Sequence, residues 1–126
     1  MKISATIARV VLGLVFTVAG ISGFVLIGHP PPAPPGLAGQ FQDVFFASRW
    51  VLFVDAVEAI SGILLLTNRY VPLALVALAA VIANIAVFHA TMQPAGLPIA
   101  AIVVALWLIV ASRHRERLIP LLVART

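Results

Sequence analysis

Residues 44–66 read VFFASRWVLFVDAVEAISGILLL, an apolar run that carries two acids near its middle, Asp55 and Glu58. Two acids at mid-helix disfavour membrane insertion by roughly 5–7 kcal/mol, which the aliphatic and Phe residues of the run offset to about the same extent. A helix of this sequence is therefore marginal alone. It inserts stably only if its acids face a protein interior, hold protons or hydrogen-bond to neighbouring helices. The stretch thus requires several packed helices around it.

The two acids share one side of this predicted helix. Because residues three or four apart lie on the same helix face, Asp55, Glu58 and Gly62 form one stripe. Arg49 falls on the opposite side, near the helix end, where it can reach lipid headgroups. Without a basic partner in the helix, the pair is expected to hold at least one proton at neutral pH. Three interpretations remain open: a ligand or proton site, a hydrogen-bonded polar core that fixes helix packing, and acids that face lipid.

The composition places the chain in a membrane. Of its 126 residues, 63% are hydrophobic and 10% are charged, which is too apolar for a soluble domain of this size. The net charge of +4 comes from arginines at segment ends, so nucleic-acid binding is not expected. The chain has no cysteine, which excludes disulfide exchange, thiolate catalysis, iron–sulfur clusters and Cys-ligated zinc.

Residues 1–126 form a single domain with four predicted helices, at about residues 7–27, 44–66, 72–90 and 98–112. The first apolar run is too long for a signal peptide and lacks an Ala-x-Ala-like site, so cleavage is not expected. Its glycines, Gly13, Gly20 and Gly23, give the first helix a small-residue side that permits close approach to another helix. Five prolines between residues 30 and 35 predict a stiff extended connector, with a ligand for a partner domain as the alternative.

The basic residues predict the orientation of the chain. With the N-terminus inside, only Arg49 lies toward the outside, and all other Lys and Arg residues are cytoplasmic: Lys2, Arg9, Arg69, Arg113, Arg115, Arg117 and Arg125. The predicted fold class is an all-α integral membrane four-helix bundle with both termini cytoplasmic. Its predicted location is the inner (plasma) membrane, which it crosses several times.

Polar residues of the other helices are expected to join the acids in one layer. Counted at 1.5 Å per residue from the outer helix ends, Asp55, Thr17 and Trp107 lie about 13–17 Å deep. Asn84 lies about 9 Å deep on a face shared with small alanines. A tryptophan at mid-membrane needs an acceptor for its indole N–H. The layer is predicted as the place where a ligand would bind.

Two histidines near the outer surface, His29 and His89, raise a haem or metal hypothesis, because paired imidazoles on adjacent helices hold such cofactors. His29, however, lies in the Pro-rich linker, and His89 points about 140° away from Asn84 around its helix. No metal site is therefore predicted.

Four stretches together resemble the DoxX family of small bacterial membrane proteins: Glu58 to Leu66 with Gly62, residues 68–75, Asn84 through Phe88 and His89, and residues 94–98. The Glu with its following Gly and the Asn…Phe–His pattern are the most specific parts. The resemblance covers nearly the whole chain and implies a four-helix membrane protein. The family name also implies an association with a quinone-linked thiosulfate-oxidising complex and with redox-stress assemblies.

The resemblance and the acidic pair lead to one principal hypothesis, a redox-associated subunit that binds a quinone-like or other small amphipathic molecule. Glu58 and Asp55 would exchange protons, and the ligand would contact Thr17, Asn84, His89 and Trp107. No intrinsic cofactor is expected, and at most the chain is an accessory subunit of a membrane oxidoreductase. Expected partners are membrane lipids, a membrane or peripheral redox protein and a second copy of the chain. The alternative is a non-enzymatic scaffold or a small transporter coupled to protons or cations.

Overall fold

The computed structural model describes residues 2–125, which fold into α-helices and 3-10 turns without any strand in that range. The α-helices are α1 (Lys2–Leu26), α2 (Leu37–Ala47), α3 (Trp50–Leu66), α4 (Val71–Thr91), α5 (Leu97–Arg113) and α6 (Arg115–Leu118). The 3-10 turns are Pro94–Gly96 and Ile119–Leu122. The all-α prediction is confirmed. In the described part of the chain, three segments are long and apolar enough to cross a membrane: Lys2–Leu26, Val71–Thr91 and Pro94–Arg113.

The helix predicted at residues 44–66 is broken at Ser48 and Arg49, which corrects the sequence analysis. Arg49 adopts a left-handed backbone conformation with φ 61°, and α3 has only 17 residues as a result. The Ser48 hydroxyl accepts a hydrogen bond from the backbone N–H of Trp50 at 3.2 Å. Serine side chains compete with the helical backbone for its donors in this way, so they favour helix ends. Hydrophobicity alone did not show this break because the apolar run continues across it.

Helix α1 makes its largest contact with α3, and the pairs α3–α4, α4–α5 and α5–α1 close the four helices into a ring. The α1–α3 contact is antiparallel, since Gly13 faces Gly62 while Gly23 faces Asp55. At Gly20 an added Cβ would overlap backbone atoms of α3, so the two backbones touch there. The predicted small-residue side of α1 is confirmed, and its partner is the helix that carries the acids.

The bundle has two distinct ends. The termini end combines the start of α1, the turn at residues 67–70 and the end of α5, and the loop end combines the Pro-rich linker, α2 and the link between α4 and α5. The largest fully buried side chains include Leu65, Leu75 and Val110, which lie close to the termini end. The fully buried apolar core is therefore concentrated near the termini end.

Candidate functional site

A cavity of about 540 Å³ opens between α2, α3 and α4 toward the loop end, and we call it the aromatic cleft. Both acids of α3 line it, together with aromatic side chains and the small residues of α4. The residues used below are Phe41, Phe45, Trp50, Phe53, Asp55, Glu58, Ala77, Ala80, Asn84 and Phe88.

The acids reach the cleft because α3 turns its polar stripe toward its neighbours. Asp55 is 7% exposed and Glu58 8% exposed, and Gly62 on the same stripe is also buried. The Asp55 carboxylate fills the space beside Gly23 of α1 that any larger residue would occupy. No basic residue lines the cleft in the part of the chain that the structure describes. Two carboxyl groups in such a place can hold and release protons.

Helix α4 supplies room and one polar group. Ala77, Ala80 and Asn84 all line the cleft, as their predicted shared face requires. The Asn84 Nδ2 group donates a hydrogen bond to the Ala80 carbonyl at 2.9 Å, which leaves the amide oxygen and a second N–H for other partners. Small alanines beside a polar amide therefore leave space opposite the acids.

Aromatic rings border the mouth of the cleft. The Phe41 ring stacks on Phe45 with centroids 5.4 Å apart and meets Phe88 of α4 at 5.2 Å. On α3, Trp50 and Phe53 approach to 5.5 Å. Sequence reasoning missed this wall, although the spacing of Phe41 and Phe45 by four residues already put both rings on one helix face. The contact between α2 and α4 could not be read from that spacing.

Thr17 was predicted beside the acids, but it lies in the α1–α3 contact against Gly62 and does not line the cleft. Its Oγ1 is buried without a hydrogen-bond partner in the described structure. The reason for the error is the break before α3. Counted from Trp50 rather than from residue 44, Asp55 is only about 8 Å from the helix start, which places it opposite Gly23.

Trp107 also lies outside the cleft. Its indole N–H donates a hydrogen bond to the backbone carbonyl of Leu75 at 2.9 Å, between α5 and α4. The predicted need for an acceptor is confirmed, but the acceptor is backbone near the termini end. Trp107 therefore joins helices together, and the single predicted polar layer does not form.

His89 packs on the link between α4 and α5 instead of on the acids. Its Nδ1 lies 3.2 Å from the Gln93 carbonyl oxygen, and its ring covers Gly96 so closely that a Cβ there would overlap it. The ring also meets Phe88 edge-on at 5.1 Å. His89 thus does not line the cleft but contacts Phe88, which does.

Comparison with protein-family models identifies the family of this chain. A family model described as DoxX matches residues 4–91, which is more than half of the chain. The chain belongs to the DoxX family. No curated protein and no solved structure matches it. The part matched to DoxX contains every residue that lines the aromatic cleft, whereas Trp107 lies beyond it.

Proposed function

We propose that this DoxX protein binds a small amphipathic molecule of the quinone class in the aromatic cleft and serves as an accessory subunit of a membrane oxidoreductase. The observation that carries the proposal is the composition of the cleft, in which two buried acids stand behind a wall of aromatic rings. A planar ring with polar oxygens on an apolar tail needs those two kinds of surface together.

The chemistry of the lining fits such a ligand. Phe45 and Phe88 offer faces and edges to a planar ring, which aromatic side chains prefer at centroid distances of about 4.5–7 Å. Asn84 and a protonated Glu58 can each donate a hydrogen bond to a ring oxygen. Phe41, Trp50 and Phe53 are exposed on the outer surface of the chain, so a molecule dissolved in lipid reaches the cleft from the side.

Reduction of a bound quinone to its quinol takes up two electrons and two protons, and the proposed role of the protein is to supply the protons. Glu58 would give a proton to a ring oxygen and regain one through Asp55, which lies one helical turn away. The electrons would come from a membrane or peripheral redox partner, because the chain has no cysteine for a thiol couple or an iron–sulfur cluster.

We further propose that α3 is a fourth membrane span, in the plasma membrane, with both termini cytoplasmic. At 17 residues α3 measures about 26 Å, slightly less than the bilayer core, and its buried acids face protein rather than lipid. The basic side chains of Lys2, Arg9 and Arg113 gather at the termini end, which the positive-inside rule assigns to the cytoplasm.

Single cysteines test this orientation, since the chain has none of its own. A cysteine at Ala33 or Ala95 should react with an impermeant thiol reagent added to intact cells, whereas one at Thr67 should react only after lysis. Thr67 is preferred to Asn68 because Asn68 has a φ of 55° that a cysteine would adopt only with strain. Labelling of Thr67→Cys in intact cells would refute the orientation.

Ligand binding is tested with the two tryptophans, one inside and one outside the cleft. Trp107→Phe keeps only Trp50, and Trp50→Phe keeps only Trp107. In lipid nanodiscs, a short-chain ubiquinone analogue should quench Trp50 fluorescence with a saturable titration, while Trp107 should show only weak, linear quenching. Equal quenching of the two reporters would mean that the quinone is merely dissolved in the lipid.

Among residues 2–125, no basic side chain lines the aromatic cleft. This favours a second candidate, a small transporter that conducts protons or a cation through the acids. Proteoliposomes with an internal pH dye separate the two. A proton leak that Glu58→Gln abolishes, together with no saturable quenching of Trp50, would favour transport over quinone binding.

A further inference from the structure

The termini end carries a second cavity, of about 280 Å³, which we call the basic cleft. Its polar lining comes from three distant parts of the chain: Lys2, Thr6 and Arg9 of α1, Asn68 of the turn after α3, and Arg113 and His114 at the end of α5. Within residues 2–125, none of the lining residues is acidic. The helix packing therefore gathers cations that lie far apart in the sequence.

Arg9 is the fixed member of this group. Its Nη1 group donates a hydrogen bond to the Leu65 carbonyl, which also accepts from the Asn68 backbone N–H at 3.2 Å. The last carbonyls of a helix carry partial negative charge, so the end of α3 holds the guanidinium in place. Because a guanidinium has five N–H donors in a planar fork, Arg9 retains donors for a ligand.

His114 stands among these positive charges. Burial lowers the pKa of its imidazole, and the charges of Arg117, Arg113 and Arg9 lower the pKa further. These arginines face His114 from α6, from α5 and from α1 respectively. In the free protein these surroundings therefore favour the neutral form of the imidazole. A negative charge placed in the cleft would relieve the repulsion among the cations and favour protonation of His114.

We propose that the basic cleft binds the phosphate group of an anionic molecule, either the headgroup of an anionic lipid or a soluble phosphate ester. Arginine forks match phosphate oxygens two at a time, and Arg9 and Arg113 approach the cleft from different helices. Both helices have membrane-spanning length, so their ends at the cleft reach the depth of the headgroups. The bound phosphate would link α1, the turn after α3 and α5.

The proposal is tested by thermal stability in phosphatidylcholine nanodiscs, titrated in one arm with phosphatidylglycerol and in the other with inorganic phosphate at constant ionic strength. The protein should gain stability in a saturable way in at least one arm. Arg113→Gln should raise the ligand concentration that gives half-maximal stabilisation at least about tenfold, because it removes a charge-assisted contact. Arg49→Gln removes the same charge at the loop end and should leave the titration unchanged.

The two arms identify the source of the phosphate. Stabilisation only by phosphatidylglycerol assigns a lipid, and stabilisation by inorganic phosphate assigns a soluble ester. No stabilisation in either arm, or equal weakening by Arg49→Gln and Arg113→Gln, would overturn the proposal. If Arg113→Gln lowers the stability of the unliganded protein, Lys2→Gln replaces it as the test variant, and it should also weaken the stabilisation by the ligand.

The pH dependence tests the part assigned to His114. Because anion binding favours its protonated form, phosphatidylglycerol should stabilise the protein more at about pH 6 than at about pH 8, a range in which the lipid itself does not titrate. His114→Gln should abolish that difference while Arg9, Arg113 and Arg117 remain. A difference that persists in His114→Gln, or one absent from the unmodified protein, would remove His114 from the site.

Discussion

The two sides of α3 contact their neighbours in opposite ways. Toward α1, glycines let the backbones touch, and an added Cβ at Gly20 would overlap atoms of Asp55 and Ala59. Toward α4, small residues such as Ala80 line an open cleft of about 540 Å³ instead. Small side chains thus permit close packing without enforcing it. The difference lies in the neighbours, because α2 places its Phe41 ring against Phe88 of α4 and so borders the open side.

The largest effect on stability is expected from Gly20→Ala, which adds a methyl group against the closed side of α3, the side in contact with α1. The methyl group would overlap backbone atoms that cannot move without a shift of the whole helix. Overpacking of this kind typically lowers the free energy of unfolding by about 1–3 kcal/mol. Thermal unfolding in detergent would measure it, with Gly28→Ala as the matched control, since a Cβ there meets nothing within 4 Å. Equal melting temperatures for the two variants would show that the α1–α3 contact is looser than described.

A smaller effect on stability is expected at Glu58, which lies between the two sides. Glu58→Gln keeps the shape and hydrogen-bonding capacity of the side chain, so this variant should fold normally and lose proton exchange. Glu58→Ala leaves a buried void and should lower the melting temperature as well. Infrared spectroscopy at pH 7 should show a protonated carboxyl band that weakens in Glu58→Gln. A fully ionised Glu58 would require a cationic partner, and none is found among the described residues that line the cleft.

The sequence predicted the close α1–α3 contact better than it predicted the aromatic cleft between α3 and α4. Spacing alone put Gly13, Gly20 and Gly23 on one side of α1, and close approach follows from their size. The aromatic cleft depends on the break at Ser48 and Arg49, which a hydropathy pattern does not register. The same break explains why Asp55 does not lie at the depth of Thr17. An unbroken helix sets the depth of Asp55 from residue 44, whereas in the structure the helix starts at Trp50. Local spacing therefore predicted which residues share a helix face. Which residues of two neighbouring helices lie opposite each other could be seen only in the structure.

The smallest effect on stability, and the sharpest separation of the two sides, is expected from Ala80→Phe. Ala80 lines the cleft and is exposed, so a phenyl group there meets open space instead of backbone. The free energy of unfolding should change by no more than about 0.5 kcal/mol, as for ordinary surface substitutions. The ring would nevertheless occupy the space between α4 and the acids. Saturable quenching of Trp50 by the quinone analogue should therefore disappear.

The matched control for this variant is Ala83→Phe, which adds the same ring to an exposed position of α4 that does not line the cleft. Quenching should persist there with unchanged affinity. Loss of quenching in both variants would point to a general effect of added bulk on α4. A marked loss of stability in Ala80→Phe alone would mean that α3 and α4 close on each other in the membrane. The contrast between the two sides of α3 would then not hold.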